Sequence, residues 1–169
     1  SANTGSASLF VNSDDSSGPF FVMGKSRATG ANGDTVVQNN DGCGAIQWVA
    51  ADGTDRASRV ALIAAHIDGT PGSNDTPGRL IFSTTADGAS TSTERVRITS
   101  SGNVGVGENS PQQRLHVSST ASTYIQVQNT GDSVNAYYGV DTASAWAGSS
   151  TNHPFKLHTN NTERLRIDS

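Results

Sequence analysis

Thr93-Glu94-Arg95-Val96-Arg97-Ile98-Thr99-Ser100 returns near the end of the chain as Thr162-Glu163-Arg164-Leu165-Arg166-Ile167-Asp168-Ser169, identical at six of eight positions. In each copy apolar and charged residues alternate. Val96 and Ile98 fall on one face with Arg95 and Arg97 on the other, and Leu165 and Ile167 oppose Arg164 and Arg166. A period of two is that of a strand with one face buried. Such a strand presents only two apolar side chains. Burying them is worth roughly 1.5–3 kcal/mol each, against about 1–2 kcal/mol of ordering entropy per residue. One copy cannot hold itself together, whereas stacked or intertwined copies can. The Arg/Glu face reads as solvent-exposed pairing between neighbouring strands, worth little per pair.

The repeat extends upstream. Leu9-Phe10-Val11-Asn12 resembles Ile125-Gln126-Val127-Gln128, and Phe20-Phe21-Val22-Met23-Gly24 has a counterpart in Asn135-Ala136-Tyr137-Tyr138-Gly139. The expected organisation is a first β module over 1–100, in which 30–79 is an elaboration missing from the other copy. A Gly/Val connector follows over 101–118, then a shorter second module over 119–169. The chain stops inside a motif and begins without Met, which reads as a piece of a longer protein.

Composition points the same way. The chain has 169 residues, 33% of them apolar, and 18 of the apolar residues are alanine. Ser, Thr, Asn and Gly make up 72 positions, and the net charge is only −4. This is poor material for a compact monomeric enzyme, which at such a length buries roughly two-thirds of its unfolded surface. It suits something extended and rich in turns that completes its core with other chains. No apolar run approaches the ~20 residues of a membrane helix, so no membrane insertion is expected. Residues 1–6 lack the charged and apolar regions of a signal peptide. Cys43 is alone, which excludes an internal disulfide and a cysteine zinc cage. Fifteen acids outnumber eleven basic residues, and no basic run marks a nucleic-acid partner.

Strand formers dominate: Val, Ile and Thr far outnumber Leu and Glu. Strands are expected over Ala45–Val49, Arg59–Ile67, Arg79–Phe82 and Glu94–Ile98. Asn32-Gly33, Asp41-Gly42, Asp52-Gly53, Asp68-Gly69 and Asp87-Gly88 are the expected reversals between them. Val60, Leu62 and Ala64 share a face by period two, and Trp48 with Ile46 is expected in the core. The fold class is all-β. In Gly102-Asn103-Val104-Gly105-Val106-Gly107 the valines point one way, and the glycines leave room for another backbone. No Lys-Ser/Thr or helix follows, so this is not a phosphate cradle. Leu115 and Val117 alternate around His116 in the same manner.

These residues resemble a segment common in bacteriophage tail fibres. The resemblance is carried by Asp68-Gly69-Thr70-Pro71-Gly72-Ser73-Asn74-Asp75-Thr76-Pro77-Gly78-Arg79-Leu80-Ile81-Phe82-Ser83-Thr84-Thr85, by the 93–98 strand, and by Gly102–Gly107 with Ser110-Pro111 and Arg114-Leu115-His116-Val117. It covers about residues 45–118, with 162–169 a second partial copy. Val106, Glu108 and Arg114 depart mildly from the pattern usual there. The resemblance implies an elongated parallel homotrimer with an intertwined, interdigitated β-stalk and small β-rich modules. It implies a structural role in host attachment: the protein is made in the host cytoplasm and carried extracellularly on the virion. Its partners would be itself, other tail and fibre proteins and, in one reading, bacterial surface glycan. In such a trimer Val96, Ile98, Val104, Gly105, Val106, Gly107, Leu115, Val117, Leu165 and Ile167 pack at the axis.

Two other functions stand beside the structural one. A glycan-binding knob needs exposed rings flanked by polar groups; Tyr138 and Trp146 are the candidates. A polysaccharide-degrading tailspike needs two placed carboxylates. The Asp-Gly acids are turn formers, Glu94 and Glu163 sit beside arginines, and Asp14-Asp15 lies in a Ser/Gly-rich loop, so no catalytic residue is named. Neither cofactor nor metal is expected. His66 alone, one per chain around a threefold axis, has the geometry for a three-nitrogen ring.

Overall fold

The computed structural model describes residues 7–10, 12, 14, 16 and 18–168. The reading of residues 1–6, and of Val11, Asp15 and Ser169, lies outside that range. Among the described residues every regular element is a strand, and no helix is long and apolar enough to cross a membrane. The chain forms two compact units, residues 1–94 with 98–101, and residues 95–97 with 102–169.

In the first unit β1 (Gly42–Ala50), β2 (Ser58–Ile67) and β3 (Gly78–Thr84) form an antiparallel meander; β4 (Thr93–Ile98) has its ends in this unit and Arg95–Arg97 in the second. The pairing of Ala45 with Ala64 and of Ala64 with Ile81 puts those three on one face, where Ala64 is 3% and Ile81 8% exposed. The bulkier side chains take the opposite face, where Ile46 pairs with Ile63, Ile63 with Phe82, and Trp48 with Ala61. Trp48 and Ile46 therefore share a face as expected, but they do not form a core: each is 49% exposed within the single chain.

The end of the meander is tied by polar bonds. The Arg79 guanidinium donates to the Asp68 carboxylate at 3.1 Å and to the Ile67 carbonyl at 2.9 Å. Its other nitrogen reaches the Asn40 side-chain oxygen at 2.8 Å. Asp68 in turn accepts from the Ser100 backbone N–H at 2.8 Å. Asp68-Gly69 thus anchors a long connection and is not a two-residue hairpin. Asp41-Gly42 is no reversal either. Gly42 already belongs to β1, and the turn before it places Asn40, at φ 72°, in the left-handed region.

The second unit holds β5 (Val104–Val106), β6 (Leu115–Val117), β7 (Thr123–Asn129), β8 (Val134–Val140), β9 (Ala145–Ser149), β10 (Phe155–Thr159) and β11 (Thr162–Ile167). β5 and β6 run parallel, β7-β8-β9 is an antiparallel sheet of three, and β10-β11 is a hairpin. The hairpin turns on Asn160 and Asn161 at φ 49° and 57°. Two successive left-handed residues make the mirror-image turn that matches strand twist. Sequence inspection for Asn-Gly and Asp-Gly pairs passes over this Asn-Asn. Replacing Asn161 by Gly is expected to raise the melting temperature. Val at the same position costs about 1–2 kcal/mol, because a β-branched residue resists that backbone region. Equal melting of the two variants would contradict the turn.

The internal repeat is realised unevenly. Ile125–Gln128 and Asn135–Gly139 lie in β7 and β8, whereas Leu9, Phe10, Asn12 and Phe20–Gly24 join no strand. Met23, the counterpart of Tyr138, lies against Gly44 of β1, so close that a Cβ there would meet Met23 Cβ at 2.6 Å.

Candidate functional site

The sheet β7-β8-β9 has two faces of different chemistry. Tyr124 pairs across the ladder with Gly139, and Gly139 with Trp146. Gly139 has no side chain, so the flanking rings close over it; a Cβ there would meet Tyr124 Cδ1 at 2.6 Å and the Thr123 carbonyl at 2.2 Å. Tyr124 and Trp146 have centroids 5.1 Å apart, and Tyr137 completes the cluster at 5.9 and 5.8 Å. Farther along this face the Gln126 amide donates to the Asn135 side-chain oxygen at 3.2 Å, with Gln128 beside it.

The other face is apolar. Ile125 pairs with Tyr138, Val127 with Ala136, Tyr138 with Ala147, and Val140 with Ala145. Val127 and Tyr138 are each 70% exposed. A groove of about 260 Å³ runs along it, lined also by Leu115 and Val117 of β6.

The two sequence candidates for sugar contact are therefore separated. Trp146 belongs to the aromatic face and Tyr138 to the apolar one, so they do not form one site. The rings that accompany Trp146 are Tyr124 and Tyr137. The available signal was Gly139, which marks a close approach between its cross-strand neighbours.

The expected axis residues are partly sheltered within the single chain. Gly105 is buried and Val96, Val104 and Val117 are half-buried, while Ile98, Val106, Gly107, Leu115, Leu165 and Ile167 are exposed. Gly105 and Gly107 do admit a close backbone, but it is the chain's own. A Cβ on Gly105 would lie 2.1 Å from the Glu108 carbonyl oxygen, and one on Gly107 2.2 Å from that of Ser118. Gly107 also has φ +70°. Both glycines serve the turn that leads from β5 to β6.

The acidic side chains are engaged locally. Asp52 accepts from the backbone N–H groups of Asp55 and Thr54 and from the Ser58 hydroxyl, which lower its pKa to about 2. Arg27 beside Asp41 holds that carboxyl well below the usual range. Burial pushes Asp68 upward, but the Ser100 N–H and the Arg79 guanidinium outweigh it. The Ser110 N–H lowers Glu108, the Ala143 and Ser144 N–H groups lower Asp141, and Lys156, at 2.8 Å, lowers Glu163. Among the described residues no three His, Cys, Asp or Glu side chains gather as a metal site. His66 sits in β2 with its Nδ1 3.4 Å from the Asn40 carbonyl oxygen.

A carboxylate whose folded pKa lies below its unfolded value, near 4, stabilises the fold above that value and stops doing so as pH falls through the folded one. Every shift just described has that sign. The melting temperature is expected to stay level from pH 7 to about 5 and to fall between about 4 and 2. A rise on acidification over that window would contradict these bonds. Neither a protein-family model nor a curated protein matches this chain.

Proposed function

We propose that this chain is a structural segment of a homotrimeric bacteriophage tail fibre. In this reading it is part of the virion and works outside the host cell. Three parallel copies share their apolar faces, the β5–β6 region contributes to an intertwined stalk, and the modules on either side of it are small β-rich bodies. Its work is mechanical: it gives length, rigidity and register to a fibre that attaches the particle to its host, in contact with other tail proteins. Catalysis is no part of the proposal.

One observation carries this reading. Among the described residues, large apolar side chains stand exposed in rows on strand faces. Ile46 and Trp48 on one face, and Ile125, Val127 and Tyr138 on another, are the main examples. The resemblance of residues 45–118 to tail-fibre segments supplies the kind of assembly. Antibodies raised against the chain are expected to decorate the fibres of the virion that carries it. Labelling of the capsid, or of no virion component, would overturn the proposal.

A second reading has its own observation. The Tyr124, Tyr137 and Trp146 rings, with the Gln126, Gln128 and Asn135 amides beyond them, combine stacking surface with hydrogen-bonding groups, as sugar recognition requires. On an array of bacterial surface glycans the chain would then retain a defined subset. Trp146→Ala would lose that subset while keeping its oligomeric mass. Retention unchanged by Trp146→Ala, or no retention at all, removes this reading and leaves the structural one.

A further inference from the structure

The two copies of the Thr-Glu-Arg-x-Arg-Ile strand have different surroundings. β4 has β5 as a neighbour in its sheet. Just past β5, the Gly107 N–H donates to the Arg95 carbonyl of β4 at 2.9 Å. β11 carries the same residues at five of six positions, but among the described residues it pairs with β10 only. Every residue of β11 is exposed, whereas Glu94, Val96 and Arg97 of β4 are half-buried. A two-stranded hairpin is marginal in water without a further strand or a covering layer. The missing neighbour of β11 is the strand on its outer edge.

The internal repeat identifies the chemistry of that neighbour. At β4 the added strand is Val104-Gly105-Val106, followed by Gly107. It is secured on its far side by parallel pairing with β6, Val104 N–H to the Arg114 carbonyl and Ser118 N–H to the Val106 carbonyl, each 2.9 Å. On β11, Leu165 and Ile167 stand where Val96 and Ile98 stand on β4, and the Arg164 carbonyl is the counterpart of the Arg95 carbonyl. Native edges are usually guarded by charged side chains held across them or by bulges. Here the register shifts at Arg164, between the Leu157–Leu165 and His158–Glu163 pairs, which leaves Leu165–Ile167 as the regular stretch. The charged side chains bond locally: Lys156 pairs with Glu163, Arg164 Nε donates to the Thr159 hydroxyl at 2.7 Å, and Arg166 pairs with Asp168.

We propose that the outer edge of β11 is a strand-addition site whose partner is a glycine–valine strand of the Gly-Asn-Val-Gly-Val-Gly pattern. The bond is made by main-chain pairing along Thr162–Ile167, with Leu165 and Ile167 providing the apolar bed for the two valines.

The test uses the whole chain and a labelled synthetic peptide with the sequence of residues 101–118. Saturable binding by fluorescence anisotropy is expected, together with at least tenfold slower amide exchange over residues 162–168. The same peptide carrying an N-methyl group at Gly107 keeps its side chains but loses a backbone donor. It should bind at least tenfold more weakly. No saturable binding overturns the proposal. So does equal binding of the N-methyl peptide, which would mean apolar adhesion without strand pairing. Protection confined to β7–β9 or to β4 would place the peptide elsewhere. Strong protection of 162–168 before peptide is added also overturns the proposal, because the edge is then not open to an added strand.

Discussion

In sedimentation equilibrium at low micromolar concentration, the chain is expected at three times its monomer mass of 17.5 kDa. Dilution below the concentration at which the trimer dissociates should cost secondary structure as well as mass. The surface is the reason. The chain exposes 12,861 Å², whereas a compact monomer of this mass exposes about 7,900 Å². Division into two units does not remove the excess: two separate globules of half the mass would together expose about 9,500 Å². Among the described residues the buried side chains are those of Val37, Ala64, Ile67, Ile81, Ser83 and Pro111, and none is fully buried. Each well-buried Leu, Ile, Val or Phe is worth about 1.5–3 kcal/mol. So short a list cannot offset ordering costs of about 1–2 kcal/mol per residue. Association and folding should therefore be one transition, with a midpoint that moves with protein concentration. A monomer that melts cooperatively, at a temperature independent of concentration, would end the tail-fibre proposal.

The strands were the most legible part of the fold. Arg59–Ile67 and Arg79–Phe82 sit within β2 and β3 because β-branched residues and flanking Asp-Gly pairs state the local preference directly. The paired Thr-Glu-Arg motifs form β4 and β11, and the expected Glu94–Ile98 strand starts one residue earlier, at Thr93. Burial was less legible. Period two puts Trp48 on the face of Ile46, yet burial depends on what covers a face, and within the single chain Trp48 stays 49% exposed. Counting aromatic residues likewise could not select among Tyr124, Tyr137 and Tyr138. Parity separates Tyr137 from Tyr138, but only the cross-strand register places Tyr124 and Trp146 on either side of Gly139. Register is a tertiary fact, set by partners distant in sequence.

The glycines show the same limit in another form. The spacing of Gly105 and Gly107 announces that a backbone comes close, and it does. Whose backbone it is depends on the path of residues 108–118, which the spacing does not contain. A turn that departs from the commonest chemistry, Asn160-Asn161, was passed over for a simpler reason: asparagine tolerates positive φ less well than glycine but well enough for a hairpin.

Val127→Asp discriminates most sharply between a face bared to solvent and one shared among copies. Val127 is 70% exposed in the single chain. If water is its natural neighbour, the substitution changes stability by no more than about 0.5 kcal/mol. If the Ile125, Val127 and Tyr138 face is packed against a second copy, each copy must bury an unpaired carboxylate, which costs several kcal/mol or prevents the contact outright. Threefold assembly repeats that cost at every interface, so the expected result is loss of the trimer and of its melting transition. Gln126→Asp is the control. Gln126 neighbours Val127 in sequence but points to the opposite face, beside Asn135, and its variant should assemble and melt like the parent. If both variants assemble normally, the apolar face is solvent-facing and the shared-core proposal fails. If both fail, the sheet tolerates no charge on either side and the faces are not distinguished as the register requires. Loss confined to Val127→Asp locates the interface on the apolar side of β7-β8-β9 and leaves the Tyr124, Tyr137 and Trp146 face outward, free to meet a ligand.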